Sequence, residues 1–145
     1  MRYRRVAAVV GGAVLPLIAG IFGVASAAPA ETGATPARFH AALADASYTC
    51  PHFPAGMQAA LIEVESGWDP LKEGPNGTLG LAQLSMRMWQ AWGRDADGDG
   101  TNSPLDSWDA IDTQARMLCT YYQQAVQSDL PGDRLSLALA AYRIG

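Results

Sequence analysis

The opening of the chain leaves the fold and sets the compartment for everything after it. Arg2, Arg4 and Arg5 form a positive n-region, residues 6–24 are almost wholly apolar, and Ala25-Ser26-Ala27 supplies the small residues of an A-x-A cleavage pattern. The apolar run approaches the length of a bilayer span, so a retained anchor is the rival reading. Pro16 and the cleavage pattern favour removal, which makes 1–27 a signal peptide. No cysteine sits at the cleavage point, so nothing suggests a lipoprotein. Residues 28–36, built from Ala, Pro, Thr, Gly and Glu, read as a flexible linker. What remains, 37–145, has room for one domain, working outside the cytoplasm and meeting a membrane only if the leader is kept.

That location bears on the cysteines. Cys50 and Cys119 are the only two, and an even pair in an oxidising compartment is expected to be bridged. The bond closes a loop of about seventy residues, for which the chain-entropy model gives roughly 4 kcal/mol. A catalytic thiol is disfavoured, because no pattern ties either cysteine to His40 or His52, the only histidines. An apolar fraction of 49% with 17% charged residues excludes disordered and fibrous classes. The net charge of −4 without a basic stripe argues against a nucleic-acid partner.

Periodicity and breakers predict a mainly α-helical domain. Helices are expected over 37–47, 54–68 (opened by Pro54), 81–92, 107–127 and 134–142. Gly74-Pro75-Asn76-Gly77 is a loop by every local signal, and an Asp/Gly segment covers 95–106. No β-alternating run of useful length and no internal repeat is present. In the second helix Met57, Leu61, Val64 and Trp68 mark an apolar face. At about 100° per residue Glu65 falls on the shoulder of that face, while Glu63 points to solvent. A partly desolvated carboxyl favours the proton-carrying form that a general acid needs. By itself, a glutamate at a helix end is more often a boundary residue.

The neighbouring residues change that balance. Glu65-Ser66-Gly67-Trp68-Asp69-Pro70 resembles the E-S-G-aromatic-(N/D)-P motif of lytic transglycosylases with the goose-lysozyme-like (SLT) fold. Gly80-Leu81-Ala82-Gln83-Leu84 resembles that family's G-L-M-Q-(L/I/F) motif, with Met86 and Trp89 near its M-P-x-T/W continuation. Ala141-Tyr142-Arg143-Ile144-Gly145 resembles its A-Y-N-x-G motif, with arginine in place of asparagine. Three motifs in order make a specific signal. The resemblance implies a lysozyme-like helical domain acting on peptidoglycan glycan strands, associated with the cell wall. Glu65 would be the single acid/base, and the product a 1,6-anhydro sugar formed without water. Ser66 would steady Glu65 and the following turn, or simply satisfy the helix's last carbonyls. Gly80 and Gln83 would build a wall and a polar contact facing Glu65, and Tyr142 would bring its hydroxyl near it. Of Trp68, Trp89, Trp92 and Trp108, at most one or two are expected to stack on sugars.

Asp95-Ala96-Asp97-Gly98-Asp99-Gly100-Thr101 carries the spacing of an EF-hand-like calcium loop. Oxygen ligands stand at positions 1, 3 and 5, glycine at 6, and a backbone carbonyl, that of Thr101, at 7. Position 12 is Asp106, one methylene shorter than the usual glutamate. With Asp109-Ala110-Ile111 following, the loop also resembles that of the membrane-bound lytic transglycosylase B group, which makes Asp109 the favoured closing ligand and Asp106 the alternative. Both also suit an N-cap role for the helix at 107. The calcium would be structural. The chain stops directly after the third motif, where relatives usually run on. From that resemblance the C-terminal part of the groove is expected to be absent, supplied by a partner, or cut from this sequence. A hydrolytic muramidase and a weakly active calcium-stabilised wall-binding module remain the alternatives to a lytic transglycosylase.

Overall fold

The computed structural model describes residues 34–144. The expected signal peptide, most of the linker (28–33) and Gly145 lie outside the described residues. Five α-helices and a two-stranded hairpin follow in order: α1 (His40–Thr49), α2 (Ala55–Ser66), β1 (Thr78–Leu79), β2 (Leu84–Ser85), α3 (Met86–Trp92), α4 (Ser107–Gln127) and α5 (Arg134–Ile144). The domain is mainly helical, as the periodicity predicts. Among the described residues no helix is long and apolar enough to cross a membrane.

α4 is the axis. Asp106 caps its start, accepting from the backbone N–H groups of Trp108 and Asp109, two of the donors a helix start leaves without partners. Its buried face, including Ile111, Ala115, Met117 and Leu118, receives α1 on one side and α5 on the other. Each fully buried Leu, Ile or Met there contributes roughly 2 kcal/mol of transfer free energy. α1 lays Ala42, Leu43 and Ala46 against this core and ends at Cys50, whose disulfide to Cys119 joins it to α4. A short 3₁₀ turn ahead of α1 buries Phe39, whose ring stacks on Trp68 at 5.3 Å.

α2 corrects the expected apolar face. Val64 is 75% exposed, Met57 and Leu61 are only half-buried, and Trp68 lies beyond the helix. The buried positions are Gln58, Ala59, Ile62 and Ser66. Small and polar residues hold the core side because Gln58 donates its amide to the Ile111 carbonyl at 2.7 Å, satisfying a buried polar group. Glu63 is half-buried rather than pointing to solvent. Gly67 closes the helix in the left-handed region, its N–H returning to the Glu63 carbonyl.

The expected helix over 81–92 is shortened to its second half. Residues 78–85 form a hairpin instead, pairing Thr78 with Ser85 and Leu79 with Leu84. Gly80 (φ +72°) and Gln83 (φ +48°) both leave helical space, and Ser85 then caps α3 by accepting from Met88 N–H. A Cβ on Gly80 would lie 1.9 Å from the Pro104 carbonyl oxygen. Only glycine lets the hairpin approach that segment so closely.

Candidate active site

Glu65 stands in the last turn of α2 with its side chain 12% exposed. It lines an open groove of about 600 Å³ together with residues of the hairpin and of the last turn of α5. Lys72, Asn76, Gln83, Ser85, Arg87, Tyr142 and Arg143 are among the other lining residues.

A set of hydrogen bonds positions the far wall. Lys72 Nζ donates to the Glu65 carbonyl at 2.8 Å, placing a cation at the carbonyl end of α2, where the helix dipole favours it. The Lys72 carbonyl in turn accepts from Gly80 N–H at 2.9 Å and from Gln83 Nε2 at 3.1 Å. Gln83 Nε2 also donates to the Gly80 carbonyl, and its Oε1 accepts from Thr78 Oγ1. Gln83 thus lines the groove while its amide locks the hairpin to the loop that leaves α2. Gly80 lies behind the wall rather than on it.

Tyr142 is buried at the base of the groove. Its hydroxyl donates to the Ala82 carbonyl at 2.7 Å and accepts from Gln114 Nε2 at 3.3 Å. Burial pushes the phenol well above its ordinary range; Gln114 opposes that and the Glu65 charge reinforces it. It is a neutral hydroxyl at any working pH, pinning α5 to the hairpin beside Glu65. Ser66 is buried behind the groove and donates to the Ile62 carbonyl at 3.0 Å, the helix-satisfying role. None of the four tryptophans lines the groove: Trp68 and Trp89 are core, and Trp92 leans on Tyr121.

Arg143 alters the chemistry of the site. Its Nη1 lies 2.7 Å from Glu65 Oε1, while the rest of its side chain is 64% exposed. The hydrogen bond and the charge of Glu65 both raise the guanidinium further above its ordinary value. Among the described lining residues Glu65 is the only carboxylate, against Lys72, Arg87 and Arg143. Sequence reasoning noted Arg143 only as a departure from a motif and passed over Lys72 and Arg87. Their signal was a cation two residues past the first motif and another inside the second motif's continuation.

The acidic loop lies apart from the groove lining. Carboxylate oxygens of Asp95, Asp97 and Asp99 come within 4.8 Å of one another. Gly98 and Gly100, both at positive φ, donate their N–H groups to Asp95, and Thr101 N–H binds Asp99. Asp109 is fully buried beneath, accepting from Ala96 N–H at 2.7 Å and Ser103 N–H at 3.0 Å. Burial pushes its carboxyl up, against those two bonds. Asp109 therefore braces both ends of the loop and Asp106 caps α4; the three clustered carboxylates are Asp95, Asp97 and Asp99.

A family model described as "Transglycosylase SLT domain" matches residues 45–145. "Membrane-bound lytic murein transglycosylase F 2" of Alkalilimnicola ehrlichii is 36% identical over 92 residues, covering 63% of this chain and 19% of that protein. "Membrane-bound lytic murein transglycosylase F" of Ectopseudomonas mendocina is 34% identical over 89 residues, 61% of this chain and 17% of its own length. The chain thus spans less than a fifth of the length of these curated relatives. No solved structure gives a significant match.

Proposed function

The chain belongs to the transglycosylase SLT family, and from that premise we propose that its groove cleaves the β-1,4 bond between N-acetylmuramic acid and N-acetylglucosamine in peptidoglycan. Glu65 gives its proton to the glycosidic oxygen as the bond to the anomeric carbon breaks, and the N-acetylglucosamine end leaves as an alcohol. The resulting carboxylate takes the proton of the muramoyl 6-hydroxyl as that oxygen attacks the anomeric carbon. A 1,6-anhydro ring closes and Glu65 is reprotonated, so no water is consumed. The substrate's own N-acetyl group supports the cationic transition state.

The observation that carries this reading is that Glu65 is the single carboxyl among the described residues lining the groove. Ordinary glycosidases work with two carboxylates at a set separation, the second serving as nucleophile or water-activating base. Here the other charged lining groups are cations, so the second oxygen is best supplied by the substrate. Tyr142 and Gln83 act as supports, fixing the hairpin and α5 around Glu65, and Ser66 steadies the helix end from behind. The test is mass spectrometry of digested cell wall. Anhydro-muropeptides from wild type and none from Glu65→Gln are expected; reducing ends would indicate a hydrolytic muramidase, and wall binding without release a binding module.

A structural calcium belongs to the same reading. The oxygens of Asp95, Asp97 and Asp99 have the spacing and hardness that a calcium ion takes, with the Thr101 carbonyl next in line. Asp109 would serve the ion from below or only brace the loop, in keeping with the likeness to the B-group loop. The ion would stabilise and take no part in bond cleavage. Export by the leader, and action outside the cytoplasm on the wall, complete the proposal.

A further inference from the structure

Charge is distributed against the trend of the chain. The protein carries a net charge of −4, yet among the described residues its groove presents Lys72, Arg87 and Arg143 against the one carboxylate of Glu65. The three cations differ in what they are doing. Lys72 is committed to the Glu65 carbonyl. Arg87 is exposed on the first turn of α3, on the hairpin side of the groove. Arg143 reaches Glu65 with one nitrogen and leaves most of its side chain in water. An anion entering the groove therefore meets two guanidiniums in its lining, each a planar fork able to bind a carboxylate through a pair of hydrogen bonds.

We infer that Arg87 and Arg143 are specificity residues that select glycan strands carrying free carboxylates over neutral ones. The inference rests on the glycan-cleaving reading of the groove and adds the substrate's charge to it. Glycan of this class has two sources of carboxylate close to the muramic ring: the lactyl group, when its peptide is removed, and the acidic residues of the peptide stem. Either one, bound by Arg143, would compete with Glu65 for the guanidinium and release the acid/base. Substrate charge would then both dock the strand and free the catalytic group.

Binding separates this from catalysis. Fluorescently labelled glycan strands are prepared in three forms: with stems, stripped to the lactyl carboxylate, and with all carboxylates converted to amides. Anisotropy titrations of the wild type are expected to show the carboxylate forms binding roughly five- to tenfold tighter than the amide form. The preference should shrink with added salt as exposed ion pairs are screened. Arg87→Gln with Arg143→Gln should remove it, and Arg87→Lys with Arg143→Lys, which keeps the charge but loses the fork, should keep only part of it. Tighter binding of stem-bearing than of stripped strands assigns the stem carboxylates; the reverse assigns the lactyl group. Equal binding of charged and amide forms, no binding of any form, or a preference that survives in the double glutamine variant overturns the inference. A preference that stands while no strand is cleaved leaves the inference intact and sinks the catalytic reading instead.

Discussion

Arg143 Nη1 meets Glu65 Oε1 at 2.7 Å, joining the last turns of two helices across 78 residues of sequence. The next residue inward, Tyr142, is buried on the same helix and holds the hairpin. The guanidinium thus occupies one oxygen of the carboxyl to which the proposed reaction assigns proton transfer.

The pair sets up a measurable opposition. Arg143→Gln removes the cation while keeping a polar side chain of similar reach. On strands whose carboxylates are converted to amides, where nothing draws Arg143 off Glu65, we expect kcat to rise several-fold. On strands bearing carboxylates we expect KM to rise several-fold with kcat little changed, because a substrate contact is lost while the bound strand has already drawn Arg143 away. Steady-state kinetics on soluble strands of both kinds reads the difference. An unchanged kcat on the amide strands would show that the Arg143 contact does not hold Glu65 back.

Gly80 is the position where the groove wall is least forgiving. Its φ of +72° already disfavours any side chain, and a Cβ would sit 1.9 Å from the Pro104 carbonyl oxygen. The neighbour is backbone and cannot rotate away. Gly80→Ala is expected to destabilise the protein by about 2–4 kcal/mol, through strain and displacement of the hairpin. Thermal melting followed by circular dichroism measures it, and a loss below 1 kcal/mol (about 3–5 °C in a domain of this size) would mean the hairpin is looser than its contacts imply.

How far the sequence exposed this arrangement differs from element to element. α4 was legible because its signals are local: an aspartate cap at Asp106 and a long amphipathic repeat. Glu65 and Tyr142 were legible through their motifs, and they meet around one groove. The buried face of α2 was not, since large apolar side chains marked Met57, Leu61 and Val64, while the core took Ala59, Ile62 and a satisfied Gln58. The hairpin was hidden for another reason. Residues 81–85 have helix-compatible side chains, and their turn and strand geometry is imposed by the distant Lys72 carbonyl and by Pro104. Arg143 showed as a substitution, but nothing in a linear motif says how far a guanidinium reaches.

The Cys50–Cys119 bridge joins the end of α1 to the middle of α4, 69 residues apart, with Cα atoms 5.3 Å apart. Its main effect should be on the unfolded chain, whose freedom it limits by roughly 4 kcal/mol. The double variant Cys50→Ala, Cys119→Ala is expected to melt roughly 15 °C lower, given the unfolding entropy of a domain near this size. Calorimetry with and without a reductant provides the comparison: reduced wild type should approach the variant. Identical melting of oxidised and reduced protein would place the stabilisation elsewhere.

Asp112 provides the pH dependence. Burial works to raise its carboxyl, but hydrogen bonds and charges from Arg94 and Arg116 outweigh that and hold it below the usual value of 3.8. Arg116 continues the network to the Trp92 carbonyl, so the cluster fastens the end of α3 to α4. Because the folded value lies below the unfolded one, the folded state releases this proton more readily. The stabilisation is complete above the unfolded value and is lost as pH falls through the folded one. Allowing for solvent around exposed Arg94, Asp112→Asn should cost about 1 kcal/mol at pH 7. The gap to wild type should close as pH falls below 3.8 and through the lower folded value. Parallel melting curves over the whole pH range would show that the carboxylate contributes nothing as a charge.

The acidic loop separates two roles that a sequence motif merges. Asp97 is exposed and belongs to the carboxylate cluster, whereas Asp109 is buried and accepts two backbone N–H bonds. Removing calcium from a protein that binds it at a hundredfold over Kd costs about 2.7 kcal/mol, so chelation should lower the melting temperature by roughly 10 °C. Asp97→Ala should melt like the chelated wild type and ignore added calcium. Asp109→Asn replaces an acceptor by an amide NH₂ facing a backbone N–H, so it should lose about 1–3 kcal/mol with or without the ion. If wild type and Asp97→Ala melt alike in calcium and in chelator, the loop holds no ion. Its three aspartates would then serve only to fold the turn that Asp109 pins to α4.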